Sequence, residues 1–213
     1  MDAIAEFYQS GGTWMHPILV MAVFGLAVAV ERLYFLMIAY NINGERLFSE
    51  LKKYVLADKI NDAVKLCDSA PLPSILRAGL VASQGGPRAA EKAMDEAALE
   101  VIPRIEKRTH YLSMVANVAT LMGLLGTIFG LIIAFKAVAI ADPSQKADQL
   151  AKGISVAMNT TAFGLVIAIP LLIVHSYLSA KATRLLDQID EYTVKLLGLL
   201  DAAGRKSGKE PAE

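Results

Sequence analysis

Three apolar stretches dominate this chain, and two of them carry no charge. Ile18 to Ala39 is interrupted only by Glu31-Arg32, while Val115 to Phe135 and Ile154 to Leu178 contain no Asp, Glu, Lys or Arg. A helix needs roughly 20 mostly apolar residues, at about 1.5 Å of rise each, to cross the hydrocarbon of a bilayer. Helices on the outside of a soluble bundle keep a polar face, and the second and third stretches show no charged face. All three therefore read as membrane-spanning helices. The first reads as a retained span rather than a cleaved leader. Residues 1–17 hold no Lys or Arg, and the run ends on Glu31-Arg32 instead of a small-x-small site.

Composition narrows the choice further. Hydrophobic residues make up 54% of the 213 and charged residues 20%, too much apolar surface for a disordered chain. Cys67 is the only cysteine, so no disulfide scaffold is possible within the chain. Lys+Arg and Asp+Glu number 21 each, and nucleic acid is not an indicated partner. The cations are segregated. Residues 1–17 have none, and the connection between the second and third stretches has Lys136, Lys146 and Lys152. The long connection after the first stretch has eleven, from Arg46 to Arg108, and the C-terminal segment has six more, from Lys181 to Lys209. Positive residues favour the cytoplasmic side. The expected order is an extracytoplasmic segment 1–17, a span 18–39, a cytoplasmic helical loop 40–114 and a span 115–135. A short extracytoplasmic loop 136–153, a span 154–178, a cytoplasmic helix 179–203 and a disordered tail 204–213 complete it. The expected class is an all-α multi-pass membrane protein with the N-terminus outside.

The segments between the spans look helical too. Leu47, Leu51, Val55, Ile60 and Val64 recur at helical spacing, with Asp58 placed to cap a short second helix. Pro71 and Pro73 break the pattern, and Ile75 to Ser83 resumes it. Gly85-Gly86-Pro87 marks a turn with proline at a helix start. From Arg88 onward nothing stops the helix before Val115, so one continuous helix is expected to run into the second span, bent at Pro103. The third span is expected to continue as a helix through Arg184, Asp187, Ile189, Tyr192 and Leu196.

Small residues and hydroxyls fall on one face of each of the last two spans. Ala116, Thr120, Gly123, Thr127, Gly130 and Ala134 follow steps of four and three, as do Ala157, Thr161, Gly164 and Ala168. Such stripes have two readings. One is close helix packing, with Gly126-x-x-x-Gly130 as its motif and Gly123, Gly164 and Pro170 in the same role. The other is a polar stripe facing something polar within a bundle, with Asn159 and Thr160 joining Thr120, Thr127 and Thr161. Glu31-Arg32, the only charges inside a span, read as a membrane-edge pair that bonds internally or to a neighbouring helix. His16, His110 and His175 lie far apart, and no nucleophile set, phosphate loop or metal-ligand spacing is present. No enzyme activity, cofactor or metal is expected.

Two runs carry a specific resemblance. Ala116-Asn117-Val118-Ala119-Thr120-Leu121-Met122-Gly123-Leu124-Leu125-Gly126-Thr127-Ile128-Phe129-Gly130 and Gly153-Ile154-Ser155-Val156-Ala157-Met158-Asn159-Thr160-Thr161-Ala162-Phe163-Gly164-Leu165, with Ala168-Ile169-Pro170 beyond it, resemble the MotA/TolQ/ExbB proton-channel family. Glu31-Arg32-Leu33 fits as well, and the three-span layout resembles the TolQ/ExbB branch, with a gliding-motor-type member as one candidate. The resemblance implies a homo-oligomer, a pentamer, around the single-span helices of an ExbD-, TolR- or MotB-type partner. It implies that the partner's aspartate binds the ion and that Thr127 and Thr161 face it. It implies a stator subunit in the bacterial inner membrane that converts ion flow into work at the envelope. Val156 stands where the TolQ/ExbB branch usually has glutamate, and Thr120 where it usually has proline. The rival reading is a passive membrane scaffold.

Overall fold

A computed structural model describes residues 7–40, 42–67 and 70–206. All regular structure among the described residues is helical. The main helices are α1 (Met15–Tyr34), α2 (Gly44–Leu56), α3 (Ile60–Lys65), α4 (Pro71–Ala82), α5 (Pro87–Glu106), α6 (Thr109–Ile140) and α7 (Lys146–Lys206). A π-turn, Phe35–Ala39, finishes the α1 run, and a 3-10 turn, Ser83–Gly85, joins α4 to α5. Three helical stretches are long and apolar enough to cross a membrane. Their large side chains face outward: Val20, Val23, Leu121, Ile133, Val166 and Ile173 are all exposed. Water would penalise such a surface at roughly 25 cal/mol per Å², whereas lipid does not. The chain is an all-α membrane protein.

The chain divides into two compact units, Met1–Arg32 with Arg108–Tyr177, and Leu33–Lys107 with Leu178–Glu213. In the first, α1 packs on α6 and α7 through a glycine. A Cβ at Gly25 would stand 2.7 Å from Leu171 Cδ1 and 3.0 Å from Val115 Cγ1. Small side chains share the rest of this core with Met15, Ile18 and Leu112: Ala29, Ala116, Ala119, Ala134, Ala157 and Ala168 are buried. In the second unit the core is of ordinary soluble type, with Leu51, Ile75, Leu76, Leu80, Met94, Ile105 and Leu196 fully buried. Asn43 caps α2 by accepting from the Arg46 N–H at 3.1 Å. Phe48 meets Tyr192 with ring centroids 5.5 Å apart, and the Lys195 ammonium lies 4.9 Å from the Tyr192 ring centre.

Several local expectations need correction. Asp58 does not cap α3. It sits at φ 60° in the turn before that helix, and Lys59 occupies the cap position without a side-chain bond. Pro71 and Pro73 do not break a helix; they begin one. Pro71 takes the first helical position, where a missing N–H costs nothing. Gly86, at φ 96°, and Pro87 start α5 as expected.

The continuous helix expected from Arg88 into the second span is interrupted. Lys107 turns extended, with ψ 132°, and Arg108 is left-handed, with φ 63°. Pro103 sits inside α5, which ends three residues later; its missing N–H leaves the Leu99 carbonyl without its usual helical donor. Helix α6 extends to Ile140 and α7 begins at Lys146, so most of 136–153 is helical and the connection is 141–145. Helix α7 also runs on through Gly204 to Lys206, into the segment expected to be a disordered tail. Residues 207–213 of that tail, and 1–6 of the N-terminal segment, lie outside the described residues.

Candidate functional site

Helices α6 and α7 meet backbone to backbone. A Cβ on Gly164 would lie 2.7 Å from the Ala119 carbonyl oxygen and 3.2 Å from Gly123 Cα. One on Gly123 would lie 3.2 Å from Thr161 Cα, and one on Gly130 would lie 3.2 Å from Ala157 Cα. Gly126 faces the Thr160 side chain, and Gly153 faces Ala134. The pairs run in opposite order along the two helices, so the contact is antiparallel. Lipid-soluble helices gain little by burying apolar surface against each other, so close van der Waals contact through small residues holds them. Gly123, Gly126, Gly130 and Gly164 thus lie on one seam within the chain. Pro170 is exposed on α7 and lies outside it.

The threonines flank this seam, and their hydroxyl protons are engaged. Thr161 Oγ1 donates across the seam to the Gly123 carbonyl at 2.9 Å. Thr127 Oγ1 donates to Leu124 O at 2.6 Å and Thr120 Oγ1 to Ala116 O at 3.0 Å, both within α6. All three are half-buried. A hydroxyl that donates to a carbonyl keeps two acceptor lone pairs. Each can accept from water or a protonated carboxyl, and by rotating it can donate to an ionised one.

Thr160 and Asn159 have a different placement, which sequence reasoning missed. Thr160 is 1% exposed; its Oγ1 lies 2.9 Å from the Gly11 carbonyl and 2.8 Å from the Val156 carbonyl. Asn159 Nδ2 donates to Ser10 Oγ at 2.9 Å. Phe7 and Tyr8 set their ring edges on Phe163, and Trp14 stacks on Phe129 at 5.0 Å. The segment before α1 therefore packs on the polar face of α7. Its only cue in the sequence is Ser10-Gly11-Gly12, where the two glycines, without side chains, allow a close approach.

The charged pair extends to a third residue. Glu31 accepts two bonds from Arg108 Nη1, at 2.7 and 2.9 Å, and Arg32 Nη2 lies 3.6 Å from Glu31 Oε1. Arg32 is 4% exposed. The neighbouring-helix partner expected for Glu31 is thus Arg108, presented by the left-handed residue that precedes α6.

The chain is similar to known proteins. A sequence model of the MotA/TolQ/ExbB proton channel family matches residues 68–191. A biopolymer transport protein ExbB homologue of Methanothermobacter thermautotrophicus is 24% identical over 190 residues, 88% of this chain and 67% of its own length. ExbB-like protein 3 of Synechocystis is 26% identical over 208 residues, 96% of this chain and 97% of its own. The biopolymer transport protein exbB1 of Vibrio cholerae is 41% identical over 88 residues, 41% of this chain and 38% of its own.

Proposed function

The chain belongs to the MotA/TolQ/ExbB proton channel family, and on that premise we propose that it is the ion-channel subunit of an envelope energy-transducing motor. One observation carries the reading. The two helices that supply half-buried hydroxyls, α6 and α7, contain no Asp, Glu, Lys or Arg from Val115 to Phe135 or from Ile154 to Leu178. Threonine orients water and binds a carboxyl group, but it does not itself carry a net proton near neutral pH. Proton passage needs a titratable relay; His175, close to the inner end of the third span, does not supply one at mid-membrane, so a second polypeptide does. The partner is a single-span protein of ExbD or TolR type, and its aspartate is set against Thr127 and Thr161.

In this reading several copies of the chain, five by family resemblance, surround the partner's helices. Val156, in place of a glutamate, leaves the pathway wholly dependent on the partner's acid. The N-terminus lies outside and the residue 40–114 segment lies in the cytoplasm, in keeping with the cation distribution. The driving force is about 2.3 kcal/mol per charge per 100 mV. That is several times RT and suffices to bias a two-state movement of the partner.

The test is proton flux in proteoliposomes. The chain alone should not conduct. The chain co-expressed with its organism's ExbD/TolR-type protein should, and Thr127→Val or Thr161→Val should abolish flux while leaving the complex assembled. Flux through the chain alone would end this reading. Work on the envelope that persists after the ion gradient is collapsed would favour the scaffold.

A further inference from the structure

We infer that a groove between α4 and α5 binds a phosphate group, that of an anionic lipid headgroup at the end of the first apolar helix. The two helices form an antiparallel hairpin, closed where Gly79 meets the Met94 sulfur and where Leu76 and Leu80 are buried. Toward the start of α4 and the end of α5 the seam opens into a groove of about 360 Å³, lined by Tyr40, Ser74, Arg77, Glu100 and Arg104 among others. That size falls within the range of small-ligand clefts and admits a phosphodiester with its glycerol.

The charges in the groove are unequal. Glu100 is bonded to Arg104, while Arg77 is exposed and has no acidic partner among the described residues. The lining therefore has one positive charge in excess. Its donors toward a ligand are the Arg77 guanidinium and the Tyr40 hydroxyl. The Ser74 proton is already given to Pro71 O at 2.8 Å. A guanidinium matches a phosphate with two parallel bonds.

Position points to a lipid as the source of the phosphate. Tyr40 directly follows the π-turn Phe35–Ala39, the last stretch of the first apolar run. An aromatic residue with a polar tip at that point belongs at headgroup depth. Met37 and Ile38, just before it, are 43% and 66% exposed and offer an apolar track for an acyl chain. A basic pocket beside a span end is the arrangement that holds anionic headgroups. This inference does not depend on ion conduction.

Native mass spectrometry of the full chain in detergent tests it. The probes are dioleoylphosphatidylglycerol, dioleoylphosphatidylcholine and inorganic phosphate. Wild type should retain the phosphatidylglycerol about tenfold better than the phosphatidylcholine, the scale of a charge-assisted hydrogen bond. Arg77→Gln should remove most of that preference, and Tyr40→Phe should reduce retention of both lipids about threefold. Arg46→Gln, an exposed arginine paired with Glu50 outside the groove, should leave it unchanged. Equal retention of the two lipids, or a preference that survives Arg77→Gln, would overturn the proposal. So would binding of inorganic phosphate that depends on Arg77 without lipid preference, which would assign the groove to a soluble phosphate compound. Helix content and elution volume of each variant should match wild type, as expected for exposed positions.

Discussion

The same substitution at two places on one helix should move stability in opposite directions. Gly164→Ala and Gly198→Ala both lie within α7, and each gains about 1 kcal/mol of helix propensity. A Cβ on Gly198 meets nothing within 4 Å, so that gain is kept. A Cβ on Gly164 meets the Ala119 carbonyl at 2.7 Å and Gly123 Cα at 3.2 Å. Both are backbone atoms, and neither can rotate away. Restoring ordinary contact requires the helices to separate by roughly 0.5 Å, and overpacking of this kind costs about 1–3 kcal/mol. The same separation stretches the bond from Thr161 to the Gly123 carbonyl, 2.9 Å in the native chain, at a further cost of about 1 kcal/mol. Gly164→Ala should therefore be destabilised by about 1–3 kcal/mol, and Gly198→Ala stabilised by up to about 1 kcal/mol. Unfolding in mixed micelles titrated with SDS, followed by circular dichroism, measures both. If Gly164→Ala unfolds no earlier than Gly198→Ala, the backbone contact between α6 and α7 is not what holds these helices.

Further outcomes follow from the other contacts. Thr160→Val leaves the buried Gly11 carbonyl without its donor and should cost about 1–3 kcal/mol in the same titration, whereas Thr127→Val, whose bond lies within its own helix turn, should cost less than about 0.5 kcal/mol. At position 108, φ is 63°; in a Glu31→Gln background, Arg108→Gly should be about 1 kcal/mol more stable than Arg108→Ala, because glycine alone is unstrained there. Burial, reinforced by Glu191, pushes the Tyr192 phenol above its ordinary value. Its protonated form is therefore favoured by folding. The stability it contributes is complete below the unfolded-state pKa and is lost as pH rises through the folded-state pKa. The exposed Lys195, raised first by its hydrogen bond to Glu191, shifts in the same direction. Tyr192→Phe should flatten the alkaline loss of stability, as read from melting temperature between neutral pH and about 11; an unchanged slope would mean that Tyr192 makes no contribution to it.

The glycine seam between α6 and α7 was partly legible in the sequence. Steps of three and four put Gly123, Gly130 and Gly164 on helix faces, and the structure places all three on one seam. What periodicity could not decide was the partner of each hydroxyl. Thr160 and Thr161 are adjacent in sequence and about 100° apart around the helix. One turns to the Gly11 carbonyl and the other to the Gly123 carbonyl. Both are threonines on a small-residue helix, and nothing local distinguishes them. The break at Lys107-Arg108 was equally hidden, since neither residue is a helix breaker by type. It coincides with the ion pair that Arg108 makes with Glu31, 77 positions away.

Local chemistry alone determined the class of this protein. Runs of charge-free residues long enough to cross hydrocarbon leave the backbone no option but helix, because only a helix satisfies its own polar groups there. The seam between α6 and α7, the docking of Ser10 and Gly11 on α7, and the contact of Arg108 Nη1 with both Glu31 oxygens were decided by tertiary structure. Each joins residues distant in sequence, and the choice among many sterically similar small and hydroxyl side chains is made only when two backbones approach closely enough to exclude every alternative.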